Sequence, residues 1–483
     1  MAPVWHDACA RLSCNRCHLR LRWAGGACAR LRFSGAASFG DCPAISAATS
    51  ERNKMVTDKA SGGSAVLQRG AAFWSLAALL CLLQFASSAP SPLYSIYQHN
   101  WHFSPIVLTA VYAMNSLALL TTLLFVGSIS DQVGRRPVLA AGTVLELASM
   151  VVFAEARGVA WLFAGRMLQG IANGAASGAV SAMLIDLQKP GSRLGALMTN
   201  VASSGGIALG ALGAGLLVQF APAPTHLVFI MLVISFGVVL VLVALLPETV
   251  KRGAGRPSLR PRVALPTEVR SAFLGLVPAL IATWALTGLY LSLGPSIVGT
   301  LTHSTNHLVG ASVIVAFNGT GVVMAVVGRA WTVERALYSG TVLLMIGVCL
   351  AMSALATRQT ALFFAGTVIA GAGFGPSFSG ALRTLTSLAP VEHRAEVVTA
   401  IYVASYLGAS LPAIAAGIAV SHVGLFSSAY GYGDGVIVLV ATAALASLRH
   451  RRPAAAARAA APLAAHHELA PCPGGAPALA RAA

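Results

Sequence analysis

GAAFWSLAALLCLLQFASSAPSPLYSIYQHNWHFSPIVLTAVYAMNSLALLTTLLFVGSIS, residues 70–130, contains no Asp, Glu, Lys or Arg. About 20 apolar residues of α-helix cross the ~30 Å hydrocarbon core of a bilayer. This run is therefore long enough for two crossings with a turn between them. A second charge-free run extends from Ser271 to Gly328 and a third from Val397 to Gly433. Gly, Ala and Ser recur inside all three, as they do where membrane helices approach closely.

Composition points the same way over the whole chain. Of 483 residues, 56% are hydrophobic and only 10% are charged. An ordinary soluble domain carries roughly a quarter charged residues, so that class is excluded. The formal net charge is +17, from 32 Lys+Arg against 15 Asp+Glu. Such an excess usually raises nucleic acid as a partner, but these charges are few and scattered through apolar sequence, so none is expected.

Cutting at charges, Pro/Gly clusters and polar turns gives twelve spans: 71–97, 106–128, 138–156, 159–187, 194–220, 227–246, 272–298, 308–328, 337–356, 360–388, 397–420 and 432–448. The loops between them alternate in charge. The N-terminal tail, the loops at 131–136, 188–193, 247–271 and 329–335, Arg394 and the C-terminal tail together hold 28 of the 32 basic residues. Arg157 and Arg358 fall on the opposite side, and Arg166 and Arg383 within spans. Cytoplasmic loops carry the Lys/Arg excess, so both termini are expected in the cytoplasm of a bacterial-type inner membrane.

The two ends read differently from the body. Residues 1–54 hold five of the eight cysteines and show no helical or strand periodicity, and no apolar segment follows as in a secretory signal. They read either as a disordered tail or as an over-extended translation start, with Met55 opening a short polar lead. Cys14-Asn-Arg-Cys17-His18 matches the c-type haem attachment pattern, and Cys9, Cys14, Cys17 and His18 have conceivable metal-ligand spacing. Haem attachment requires export, which the charge pattern denies this tail, so chance cysteines are preferred and no cofactor or metal is expected. Cys81 and Cys349 lie inside spans, where thiols serve as small packing groups. The resulting organisation is a tail at 1–70, a six-helix bundle at 71–246, a basic linker at 247–271, a second bundle at 272–448, and an Ala/Pro-rich tail at 449–483.

The bundles repeat one another. A shift of 201 residues lays Gly127 on Gly328, Gly170 on Gly371, Gly174 on Gly375 and Arg193 on Arg394. A shift of 202 aligns Val201-Ala202-Ser203 with Val403-Ala404-Ser405, Gly206 with Gly408 and Gly215 with Gly417, and 203 aligns Pro92 with Pro295. A near-constant offset over several spans marks two copies of one unit in parallel, an arrangement found in transporters that rock about a central site.

Between spans two and three the chain reads Gly127-Ser-Ile-Ser-Asp131-Gln-Val-Gly134-Arg135-Arg136. This resembles the G-x-x-x-D-x-x-G-R-[RK] loop of the major facilitator superfamily, with every fixed position filled. The second-half copy, Gly328-Arg-Ala-Trp-Thr-Val-Glu-Arg335, keeps the glycine and loses the aspartate. The resemblance covers about 70–450 and implies an all-α fold of two pseudo-symmetric six-helix bundles. Glycine-rich Gly205-Gly206-Ile-Ala-Leu-Gly210-Ala-Leu-Gly213-Ala-Gly215 is similar to a pattern of the twelve-span drug/proton antiporter branch, with Ala211 where that branch usually has Pro; ordinary close packing accounts for it too.

The resemblance implies a conformational latch at Gly127, Asp131, Gly134, Arg135 and Arg136, with Asp186 at the end of span four as the carboxylate for Arg135. The alternative is that the arginines only enforce topology. Span four carries Arg166-Met-Leu-Gln169-Gly170, similar to the family's R-x-x-Q-G. A charge inside a span is costly and therefore a functional candidate. Its possible partners are Glu155, at the outer end of span three, and Glu146, deeper in the membrane; a structural ion pair is the competing reading. Glu146 is either a proton carrier or a satisfied packing contact. Span one carries no carboxylate, unlike many proton-coupled relatives. Arg383 near a span end can snorkel.

The solute is expected between the bundles, where Gln84, Tyr94, Gln169, Asn173, Trp284, Tyr290, Phe374 and Phe378 are candidate lining groups. Aromatic walls with few charges suit an apolar or weakly polar organic solute. No G-x-x-x-x-G-K-[ST] loop is present, which argues against a primary pump. The expectation is a secondary transporter, not an enzyme: a monomer in the lipid bilayer that exports a small organic solute against protons. An importer or uniporter of the same fold, a non-transporting membrane receptor or scaffold, and a redox protein resting on the Cys14–His18 motif are the alternatives.

Overall fold

A computed structural model describes residues 18–22, 28–32, 67–126, 130–189, 192, 194–250, 265–390 and 393–460. Two compact units divide the chain at Ala65/Val66. In the first, β1 (His18–Arg22) pairs antiparallel with β2 (Cys28–Arg32), from His18 opposite Arg32 to Arg22 opposite Cys28. The strands were not anticipated. Their signal is the alternation His-Leu-Arg-Leu-Arg and Cys-Ala-Arg-Leu-Arg, which has the two-residue period of a strand but is only five residues long. Cys9, Cys14 and Cys17 lie outside the described residues.

The second unit is helical, and among the described residues twelve helices are long and apolar enough to cross a membrane. Spans one to six are Arg69–Ser88, Pro105–Val126, Arg135–Ala154, Val159–Leu187, Leu194–Phe220 and Pro224–Ala244. Spans seven to twelve are Thr267–Ser292, His307–Val327, Val333–Thr357, Thr360–Leu388, Arg394–Val423 and Leu425–Ala460. Large apolar side chains such as Phe220, Ile234, Val238, Leu274 and Leu445 face outward, while Glu146, Arg166, Gln169 and Asn173 are buried. That inversion suits a body whose solvent is lipid.

The largest differences from the expected boundaries fall in three spans. Span one ends at Ser88, and Tyr94–Trp101 forms a separate short helix after a turn containing Pro90 and Pro92. Span seven likewise ends at Ser292 and is followed by Gly294–Thr302, with Pro295 in its first turn. Proline cannot donate the helical hydrogen bond, so the helix re-starts there in both halves. Span twelve continues to Ala460, past the expected 448, through an alanine-rich stretch of high helix propensity.

The repeat is visible in the backbone. The two short helices end on His102 and His303, both left-handed with φ of 50° and 49°. Ala223, φ 51°, and Gly424, φ 83°, hold corresponding turns before spans six and twelve. A Cβ on Gly170 would overlap the backbone carbonyl oxygen of Asn115 in span two, and one on Gly371 that of Phe317 in span eight. Both repeat-related crossings therefore exclude a side chain.

Span five lies along span eight and span two along span eleven, joining the bundles. The joint includes the end opposite the basic loops: Gly215 meets Ala311, Gly417 meets Thr109, and the His307 amide donates to Gln219 Oε1 at 3.2 Å. Ser95 Oγ lies 3.4 Å from His307 Nδ1 across the same seam.

Candidate functional site

The interior of the first bundle is organised around Arg166, which is 1% exposed. Its Nε donates to the Tyr94 hydroxyl at 2.7 Å, and Nη1 donates to the Ser87 carbonyl at 2.7 Å and to Gln169 Oε1 at 2.6 Å. Serine 87 offers its carbonyl because span one ends at Ser88, where the last helical carbonyls have no partner within the helix. Cζ also stands 5.5 Å from the Tyr94 ring centre and 5.9 Å from that of Phe153, within cation–π range. Every one of these partners is neutral.

The carboxylate enters one step away. Gln169 Nε2 donates to Glu146 Oε1 at 3.1 Å and to the Ala86 carbonyl at 3.0 Å. Gln169 thus bridges the buried cation and the buried carboxylate, which are not themselves ion-paired. Glu146 and Gln169 are fully buried, and Glu146 Oε2 and Arg166 Nη2 have no hydrogen-bond partner. Asn173 follows one turn on, its Nδ2 donating to the Gln169 carbonyl at 3.2 Å. Glu155 is not part of this network: its exposed carboxylate sits 3.8 Å from exposed Arg157. Gln84 is half-buried in span one, beside Gly206 of span five.

Shifting by 201 residues lays Glu146, Arg166 and Gln169 on Gly347, Thr367 and Ala370. Where the first bundle seats its polar relay, the second closes spans nine and ten so tightly that a Cβ on Gly347 would overlap Ala370. The backbones repeat while the chemistry does not.

The second bundle instead presents rings. Trp284 is 4.8 Å from Tyr406, 5.6 Å from Phe378 and 6.5 Å from Phe374, centre to centre. Phe374 continues through Phe317 at 5.4 Å to Tyr290 at a further 4.7 Å, and Phe378 continues to Tyr402 at 6.3 Å. Tyr290 is turned toward Thr367 and an apolar recess that includes Met352 and Phe363. Tyr402 and Tyr406 went unnoticed in the sequence, although they sit one helical turn apart in a charge-free run. Tyr112 of span two, also missed, is buried on the helix that packs against span four on one side and span eleven on the other, and so stands between the two bundles.

At the basic-loop end, Arg135 Nη1 forms an ion pair with Asp186, tying span three to span four. Gly127 lies outside the described residues, and of Asp131 only the backbone, in the short helix Ser130–Val133, is described. The N-terminus of span three is held by a residue of the Pro247-Glu248-Thr249 ending of span six, to which the sequence assigned no capping role. Glu248, just beyond span six, accepts from the Arg135 amide through Oε1 and the Arg136 amide through Oε2, both at 3.0 Å. Gly134, φ 110°, leaves room for that carboxylate: a Cβ there would stand 2.8 Å from Glu248 Oε2. The Arg136 guanidinium returns to the Ala244 carbonyl. A carboxylate on free helix N–H groups is charge-assisted and worth about 1–2 kcal/mol. Glu248→Ala is expected to lower thermal stability by that order and Glu248→Gln by about half of it; equal melting of Glu248→Ala and wild type would remove the cap from the account.

Among the described residues no group of three or more His, Cys, Asp or Glu is gathered as a metal site requires.

Comparison with known proteins fits this geometry. A family model described as Major Facilitator Superfamily matches residues 76–411. A structure of the peptide transporter POT in complex with sulfate is similar in fold, at 14% identity and TM-score 0.63, covering 78% of this chain and 94% of that one. The human organic anion transporter MFSD10 (TETRAN) is similar at 17% identity and TM-score 0.57, covering 78% and 100%. A search of curated proteins returned no match. With twelve spans in two repeat-related bundles and a family model matching across both, the chain belongs to the Major Facilitator Superfamily and is a membrane transporter.

Proposed function

We propose that the protein is a secondary active transporter that exports a small organic solute by alternating access, driven by protons moving inward. The observation that carries this reading is the buried Glu146–Gln169–Arg166 relay. An isolated charge in a membrane interior is expensive, and such groups line ion and proton paths. Glu146 has one oxygen held by Gln169 and one without a partner, which leaves a place for a proton. Arg166 answers its charge through a neutral amide, so gain or loss of that proton alters the field around Arg166 without breaking an ion pair.

The relay touches the carbonyl end of span one through Ser87 and Ala86, and Tyr94 just beyond it. Span four packs on span two at Gly170 and Gly174, and span two lies along span eleven of the second bundle. Protonation is thereby transmitted to the helices whose rocking exposes either face. The Arg135–Asp186 pair and the Glu248 cap, with Asp131, Gly134 and Arg136 around them, act as the latch at the opposite end of the same bundle. Both termini lie on the cytoplasmic side, with 28 of 32 basic residues. The two structural neighbours, a transporter of peptides and one of organic anions, support a solute of that broad kind.

The test is solute flux in proteoliposomes with and without an imposed pH gradient. An acid exterior is expected to raise efflux about tenfold, since a gradient of one pH unit is worth ~1.4 kcal/mol per proton. Flux that ignores the gradient identifies a uniporter, and flux driven the other way an importer.

A further inference from the structure

We propose that the transported solute is a neutral, planar aromatic molecule carrying a hydrogen-bond acceptor, with its ring against the Trp284 wall and its acceptor on the Trp284 indole N–H. This rests on the reading of the chain as a transporter of an organic solute, and adds which chemistry that solute has.

Three rings surround the indole at angles that are edge-on or tilted: Tyr406 at 60°, Phe378 at 71° and Phe374 at 59°. Such a set offers faces and edges together, and aromatic pairs in offset or T-shaped contact gain beyond simple area. An aliphatic solute would gain area alone.

The donor is the second, independent observation. Trp284 Nε1 is shielded from solvent and has no hydrogen-bond partner. Buried indole N–H groups normally find an acceptor, and leaving one unused is costly. No described residue supplies it. An acceptor on the solute, such as a ring carbonyl or ring nitrogen, satisfies the group and fixes the ring's orientation.

Charge selects a neutral molecule. No Asp, Glu, Lys or Arg occurs from Ser271 to Gly328, which includes Trp284. The buried cation of the first bundle is Arg166, whose Nε and Nη1 hydrogens are all committed to neutral acceptors and whose charge is answered by Glu146 through Gln169. An acidic solute has two cations to claim: Arg166 at Nη2, the one unpartnered side of that guanidinium, and half-buried Arg383, five residues beyond Phe378 in span ten. That competing outcome is built into the test.

The experiment measures binding to the purified full-length protein in detergent by equilibrium dialysis, with four probes. Coumarin has rings and a carbonyl acceptor, naphthalene rings only, cyclohexanone an acceptor without an aromatic ring, and 2-naphthoate rings with a negative charge. Coumarin is expected to bind about fivefold to tenfold tighter than naphthalene, the worth of one neutral hydrogen bond, and cyclohexanone not to bind detectably. Trp284→Phe, which keeps a ring and removes the N–H, is expected to erase coumarin's advantage and leave naphthalene unchanged. Trp284→Ala should weaken both rings.

The proposal is overturned if coumarin keeps its advantage in Trp284→Phe. It is equally overturned if 2-naphthoate binds tightest, and loss of that affinity in Arg166→Lys or in Arg383→Gln then says which cation holds the acid. Absence of binding by any ring, alongside gradient-driven flux of another solute, rejects this inference and leaves the transporter reading standing. Ring binding without flux of any solute has the opposite meaning.

Discussion

Arg166→Lys is expected to yield a folded protein whose flux is reduced about a hundredfold, and Arg166→Ala a protein with neither flux nor normal thermal stability. The argument starts from three buried acceptors, the Tyr94 hydroxyl, the Ser87 carbonyl and Gln169 Oε1, each within 2.7 Å of a guanidinium nitrogen. Alanine strands all three away from water, and a stranded buried acceptor costs about 1–3 kcal/mol. It also removes the positive charge that answers Glu146. Stripping one member from a buried charged set costs about 3–5 kcal/mol, more than a marginally stable bundle can absorb without loosening. Lysine keeps the charge, so the carboxylate is not abandoned. Its ammonium is a point donor on a flexible stem and cannot hold a tyrosine, a carbonyl and a glutamine in one fork. Loss of about 3 kcal/mol from the arrangement that switches corresponds to roughly a hundredfold in rate. The measurements are flux in proteoliposomes and melting in detergent. Near-normal flux from Arg166→Lys would reduce Arg166 to a source of charge and remove the fork from the mechanism.

What could be read in advance follows from what is local. Three charge-free runs and the loop charges sufficed for twelve spans, because a bilayer imposes length and apolarity on each helix separately. The repeat was legible because both copies face the same packing demands at Gly170 and Gly371, where a side chain has no room. Partnerships across distance were not legible. Spans this apolar all round carry no stripe to show which face turns inward, so Tyr112, Tyr402 and Tyr406 had no signal strong enough to single them out. Glu248 lies 113 residues from the Arg135 amide it accepts from, and no periodicity links them. For Arg166, charge alone suggested a carboxylate partner. The structure interposes Gln169 instead, because i to i+3 spacing stacks the two on one helix face.

Glu146→Gln should separate coupling from transport. The amide has the shape of the carboxylate and keeps an oxygen for Gln169 Nε2, now 3.1 Å from Glu146 Oε1, so the packing of spans three and four is preserved. The change is in charge alone. A carboxylate that gains and loses a proton gives the relay two electrostatic states, one with Arg166 answered and one with it unanswered. Glutamine holds the relay permanently in the second. A carrier that must pass through both states to use a gradient then has only one, while exchange of solute for solute needs no change of protonation. Gradient-driven flux is accordingly expected to fall to the rate seen without a gradient, a loss of about tenfold for one pH unit, with solute exchange within about twofold of wild type. Glu146→Asp retains the charge and draws it back by one methylene, which lengthens the bond to Gln169; partial coupling is the expected result. Paired flux measurements on the two variants distinguish the possible roles of Glu146. If Glu146→Gln responds to the gradient as wild type does, Glu146 is a packing contact of span three and the proton travels elsewhere.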